Sequence, residues 1–110
     1  MKLNHSPFEK IRNGTKVIEI RLNDKKRKLL KVGDEIEFRR VDDERKKILT
    51  KVLDLSLFPS FQRMFAAFPP HEYGSQSAEE YTQMYEVYSP EKERKFGVLA
   101  IRIQFLSETK

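Results

Sequence analysis

Gly14-Thr15-Lys16-Val17-Ile18-Glu19-Ile20-Arg21 decides how this chain is read. Ile18, Ile20 and Leu22 alternate with Glu19 and Arg21, the period of a strand with one apolar face. A strand that only has to pack would rarely carry Lys16, Glu19 and Arg21 at its centre, because charged side chains are seldom buried without partners. The segment is therefore the candidate functional site. Strict alternation places Glu19 and Arg21 on one face and Lys16 on the other. Lys16 joins them only if it leaves from an irregular start of the strand.

Upstream, Ser6-Pro7-Phe8-Glu9 predicts a short helix, with Ser6 as cap, Pro7 in the first turn and Glu9 completing a capping box. Gly14 is its expected stop. Downstream, Asn23 to Lys28 reads as a polar loop, and Lys31-Val32-Gly33-Asp34 as a tight turn. Glu35 to Val41 alternates with Ile36 and Phe38 inward. After the charged Asp42-Asp43-Glu44 loop, Lys46 to Leu57 forms a long strand. Phe61, Met64, Phe65 and Phe68 make a helical stripe ended by Pro69-Pro70. Ser77 to Glu80 is a second capping box, and Tyr81, Met84, Tyr85 and Tyr88 repeat at helical spacing behind it. Glu91 to Lys95 is a charged turn or short helix, and Gly97 to Leu106 the last strand. Strands in both halves with helices between them predict an α+β domain on a curled mixed sheet or barrel.

One domain is expected for 110 residues. The chain has no Cys, which removes disulfide and thiolate-metal chemistry. Its two histidines, His5 and His71, are too few and too isolated for a metal site. No glycine-rich phosphate loop is present, and no cofactor is implied. Apolar runs are too short to span a membrane, and no signal-peptide core stands at the start; the expectation is a cytoplasmic protein with no membrane partner. The net charge is +5 and lies in one half: residues 1–55 hold 16 Lys and Arg against 10 Asp and Glu. Lys25-Lys26-Arg27-Lys28 is the densest basic run. A one-sided basic surface attracts polyanions, nucleic acid first among them.

The chain resembles the ASCH domains of the PUA-like superfamily. Gly14-x-Lys16-x-x-Glu19-x-Arg21 matches that family's GxKxxExR motif position by position. Leu30 to Phe38 looks like the family's turn into its next strand, and Pro59-Ser60-Phe61 like the start of its helix. Tyr88-Ser89-x-Glu91-x-Glu93 followed by Phe96-Gly97-Val98 resembles its closing strand. The resemblance spans nearly the whole chain and implies a small PUA-like mixed β-barrel with helices packed around it. It also implies a cleft lined by Lys16, Glu19 and Arg21, and RNA as partner, with a nucleotide or nucleoside as the smaller possibility. In that reading Arg21 offers a planar fork to phosphate or a base edge. Glu19 holds the fork or accepts from a base amine, and Lys16 contacts phosphate. Lys25, Lys26, Arg27 and Lys28 track the backbone, and Tyr88 reaches the cleft from the matched downstream segment. Some family branches are enzymes, one resembling an acetylcytidine amidohydrolase and another a ribonuclease. An enzyme here would use Lys16, with Glu19, as catalytic residues. The amidohydrolase branch carries Thr where this chain has Glu19, and a neighbouring carboxylate favours the charged form of a lysine, opposing its use as a base.

Overall fold

The computed structural model describes residues 1–109. Five strands form one sheet in the order β1-β3-β4-β5-β2: β1 (Lys2–Leu3), β2 (Ile18–Leu22), β3 (Glu35–Arg40), β4 (Lys47–Phe58) and β5 (Val98–Thr109). Only β1 against β3 is parallel; the other pairs are antiparallel. Three helices, α1 (His5–Arg12), α2 (Phe61–Ala67) and α3 (Pro90–Phe96), accompany the sheet; a 3-10 turn at Arg27–Leu29 lies between β2 and β3, and two more, at Pro70–Tyr73 and Ala78–Glu86, lie between α2 and α3.

The sheet has an apolar layer on each face, and β5 supplies both. Leu99, Ile101 and Ile103 join Phe8 and Ile11 of α1, Ile36 and Phe38 of β3, and Ile48 and Val52 of β4. Val98 and Ala100 join Ile18, Ile20 and Leu22 of β2 and Phe61, Met64 and Phe65 of α2. Alternation on β5 thus covers two cores with one strand. On β4 the inward phase is Ile48, Thr50 and Val52, and the Thr50 hydroxyl is satisfied by donating to the Ile36 carbonyl at 3.0 Å. An irregularity between Val52 and Asp54 shifts the register with β5, so that Leu55 packs on the first core while Leu53 and Leu57 stay exposed.

Four sequence expectations need correction. The sheet is not closed into a barrel. Its edge strands, β1 and β2, are two and five residues long and do not pair with each other. α1 begins at His5 after Asn4, and no side chain caps it; Ser6 is inside the first turn, where backbone donors are free and Pro7 costs nothing. The strand expected to run through Lys16 begins at Ile18, because Lys16 and Val17 donate their amides to the Lys10 and Glu72 carbonyls instead. Finally, residues 78–86 wind with three residues per turn. Ala78, Tyr81 and Met84, spaced by three, pack on the second core, and Tyr85 meets buried Phe61 edge-on with ring centroids 5.9 Å apart. The capping box at Ser77 and the cap at Ser60 form as their residue types require, with Ser60 accepting from the Arg63 amide.

Candidate functional site

Register places Glu19 opposite Ile101 and Arg21 opposite Leu99, so both charged side chains lie on the face of the first core. Glu19 is 3% exposed. An isolated carboxylate would be very costly there, but every part of this one is engaged. Lys16 Nζ donates to Oε1 at 2.9 Å, and the Ile20 amide donates to the same oxygen at 3.2 Å. Arg21 Nε donates to Oε2 at 2.9 Å, with Nη2 at 2.8 Å. Burial pushes the Glu19 carboxyl up; the charges of Lys16 and Arg21, and the hydrogen bonds from both, outweigh it and hold it below the ordinary carboxylate value.

Lys16 reaches this triad because its backbone is not yet in the strand. Its side chain lies under Gly74, where an added Cβ would stand 3.2 Å from Lys16 Cδ. Gly74 has φ +86°, and its carbonyl accepts from Lys10 Nζ at 3.0 Å. Lys16 is therefore enclosed on one side of Glu19, and Arg21 emerges on the other.

Arg21 extends from β2 to the opposite edge of the sheet, where Nη2 donates to the Lys2 carbonyl of β1 at 2.9 Å. Beside that bridge is an open groove of about 670 Å³. Its wall carries five cations (Lys2, Arg21, Lys26, Arg27 and Arg39) and two carboxylates, Glu35 and Glu37, with Leu30 and Ile36 as its apolar floor. Arg39 is paired with Glu37 at 2.8 Å. Arg27 is held by Asp24, its amide donating to Oδ1 at 3.0 Å and Nη1 to Oδ2 at 3.3 Å. Its Nε is buried with no hydrogen-bond partner among the described residues.

Of the residues singled out by sequence, Lys16, Glu19 and Arg21 thus meet around one carboxylate, and Lys26 and Arg27 join Arg21 in the groove. Lys25 and Lys28 are exposed and lie outside the groove lining. Tyr88 stacks on Phe61 with ring centroids 5.5 Å apart. Burial raises its phenol above the usual value, opposed by the nearby charges of Arg21 and Arg27 and reinforced by those of Glu19 and Asp24. Tyr88 lies outside the lining of the groove beside Arg21 and lines a separate one instead, so it does not reach the cleft as the resemblance implied. Sequence reading missed Lys2, Arg39 and Asp24. Arg39 carried a usable signal, since it lies on the outward phase of β3; Lys2 and Asp24 had none.

A family profile for the ASCH domain matches residues 1–107. This chain belongs to the ASCH domain family. The ASCH family is part of the PUA-like superfamily, and its domains are generally proposed to bind RNA. Among solved structures, the chain is similar to the hypothetical protein PH0355, with 30% identity, a TM-score of 0.79, and coverage of 96% of this chain and 100% of that one. It is also similar to protein PF0455 from Pyrococcus furiosus, with 30% identity, a TM-score of 0.66, and coverage of 97% and 99%. An ASCH protein from Zymomonas mobilis, crystallised as an S128A mutant, shares the fold at 12% identity and a TM-score of 0.68, over 94% of this chain and 65% of that one. Comparison with proteins of curated function returns no match. Among the described residues no helix is long and apolar enough to cross a membrane, and no three His, Asp or Glu are placed to hold a metal ion.

Proposed function

We propose that this ASCH domain binds RNA through the groove beside Arg21, with Arg21, Lys26 and Arg27 contacting phosphate. The observation that carries this reading is the set-up of Arg21. Its hydrogen bonds use Nε and Nη2, which fix the guanidinium plane against Glu19 and the Lys2 carbonyl. Among the described residues Nη1 has no hydrogen-bond partner and is left for a ligand, in a groove whose side chains carry an excess of three positive charges. A guanidinium held in this way is pre-organised for an anion, so binding loses little side-chain entropy. Glu19 is then a positioning residue, and Lys16 is its counter-ion on the enclosed side. Lys25 and Lys28 add long-range attraction from outside the groove.

A hydrolase would need Lys16 as base or nucleophile. Its ammonium is enclosed beneath Gly74 and engaged by Glu19, away from the groove lining, so the geometry favours binding over catalysis.

The test is fluorescence anisotropy with short RNA at two salt concentrations. The logarithm of the affinity should fall linearly with the logarithm of salt, by about 0.7 for each phosphate neutralised on a single strand, and Lys26→Ala should remove about one such increment. Arg21→Ala should weaken binding at both salts. RNA that fails to bind at low salt, or variants that bind like wild type, would overturn the proposal.

A further inference from the structure

A second groove, of about 560 Å³, opens where the 3-10 turn at Ala78–Glu86 runs into α3. Leu22, Val87, Tyr88 and Phe96 form its apolar wall, and Asp24 and Lys92 its polar rim. Val87 is 76% exposed and adds open apolar surface to that wall. The two grooves share a boundary. Arg21 faces the first and Leu22 the second, because consecutive residues of β2 point to opposite faces. Arg27 of the first is hydrogen-bonded to Asp24 of the second. Tyr88, whose ring stacks on Phe61, lines the second.

We infer that the second groove receives one unstacked base of a single-stranded RNA whose adjacent phosphate is held by Arg21, Lys26 and Arg27. The inference rests on the RNA-binding reading above. Charge complementarity supports this occupant: the first groove and Lys92 attract the anionic backbone, while the wall of the second offers apolar and aromatic surface. Bases in a duplex are stacked and paired, so only a single strand, loop or end presents one for insertion. The edge of β2 acts as a divider, with the sugar-phosphate link crossing over the Asp24–Arg27 contact.

Abasic scanning tests this. A single-stranded RNA hexamer is compared with six versions that each lack one base but keep every phosphate, and with a hairpin carrying a matched number of phosphates. Removal of the base at one position should cost about tenfold in affinity, the lower range of a base–aromatic stack, and the hairpin should bind correspondingly less well. Val87→Ser combined with Lys92→Ala, at two exposed positions, should weaken the intact hexamer and lose the distinction between it and the sensitive abasic version. If all six abasic versions and the hairpin bind like the intact hexamer, the base site is refuted while the phosphate groove stands. If no RNA binds at all, both readings fall together.

Discussion

Glu19→Gln is the substitution that the buried triad answers most sharply. The exchange keeps size and shape but removes the one negative charge between two cations. The Lys16, Glu19 and Arg21 side chains are 9%, 5% and 16% exposed, so little solvent replaces what is lost. A glutamine oxygen still accepts from one cation, but the amide nitrogen then faces the other as a second donor. Removing one partner of a buried ion pair costs about 3–5 kcal/mol because it leaves charge uncompensated. A domain of this length has a total stability of about 5–15 kcal/mol, so the variant should lose a large fraction of it. Urea unfolding followed by circular dichroism measures this as a fall in midpoint at constant slope. The triple variant Lys16→Met, Glu19→Leu, Arg21→Met discriminates the cause. It removes the whole charge set and fills similar volume, and buried ion triads replaced in this way come out neutral or more stable. The single variant should therefore be less stable than the triple. A loss below about 1 kcal/mol in Glu19→Gln, the level of an exposed pair, would refute the claim that the triad is a buried, mutually dependent unit.

The same carboxylate sets an acid limb. Its folded pKa lies below its ordinary 4.5, so its contribution is complete above about that pH and is lost as pH falls through the folded value; Glu19→Gln should flatten urea midpoints plotted against pH below 4.5. Gly74→Ala should cost about 1–2 kcal/mol, from the left-handed φ and the crowding of Lys16, whereas Gly14→Ala, with nothing near its absent Cβ, carries the backbone penalty alone; paired thermal melts read the difference. Tyr85→Phe should destabilise by about 1 kcal/mol, because buried Glu93 loses one of its donors and keeps the Phe61 amide. It should also remove the phenol that burial and Glu93 push up to about 12, seen as a missing late step in the ultraviolet alkaline titration.

Short-range periodicity was legible where one strand or helix faces one layer. Ile36 and Phe38 on β3, the Phe61, Met64 and Phe65 stripe, and the shared face of Glu19 and Arg21 all follow from counting. The position of Lys16 did not, because two long-range bonds, to the Lys10 and Glu72 carbonyls, turn its backbone before the strand begins. Counting also chose the wrong pitch for residues 78–86, where a stripe spaced 3 and 4 fits an α-helix but the backbone winds with three residues per turn. Closure of the sheet was beyond local reading, since it depends on whether two short edge strands, far apart in sequence, reach each other. The basic run suggested four equivalent contacts; Asp24 selects Arg27, and the groove takes Lys26 but not Lys25 or Lys28.

Arg21 stands where a closed barrel would have backbone hydrogen bonds, and this has a dynamic consequence. β1 is two residues long and is held on its other side by pairing with β3, where the Arg39 and Val41 amides donate to the Met1 and Leu3 carbonyls. Such a short edge is where local opening should begin. When it lifts, Arg21 loses its distal anchor, so a ligand that immobilises the guanidinium draws its affinity partly from suppressing that opening. Slowed hydrogen exchange at Arg39 and Val41, whose amides are already bonded to β1 beside the groove, would then report its occupancy.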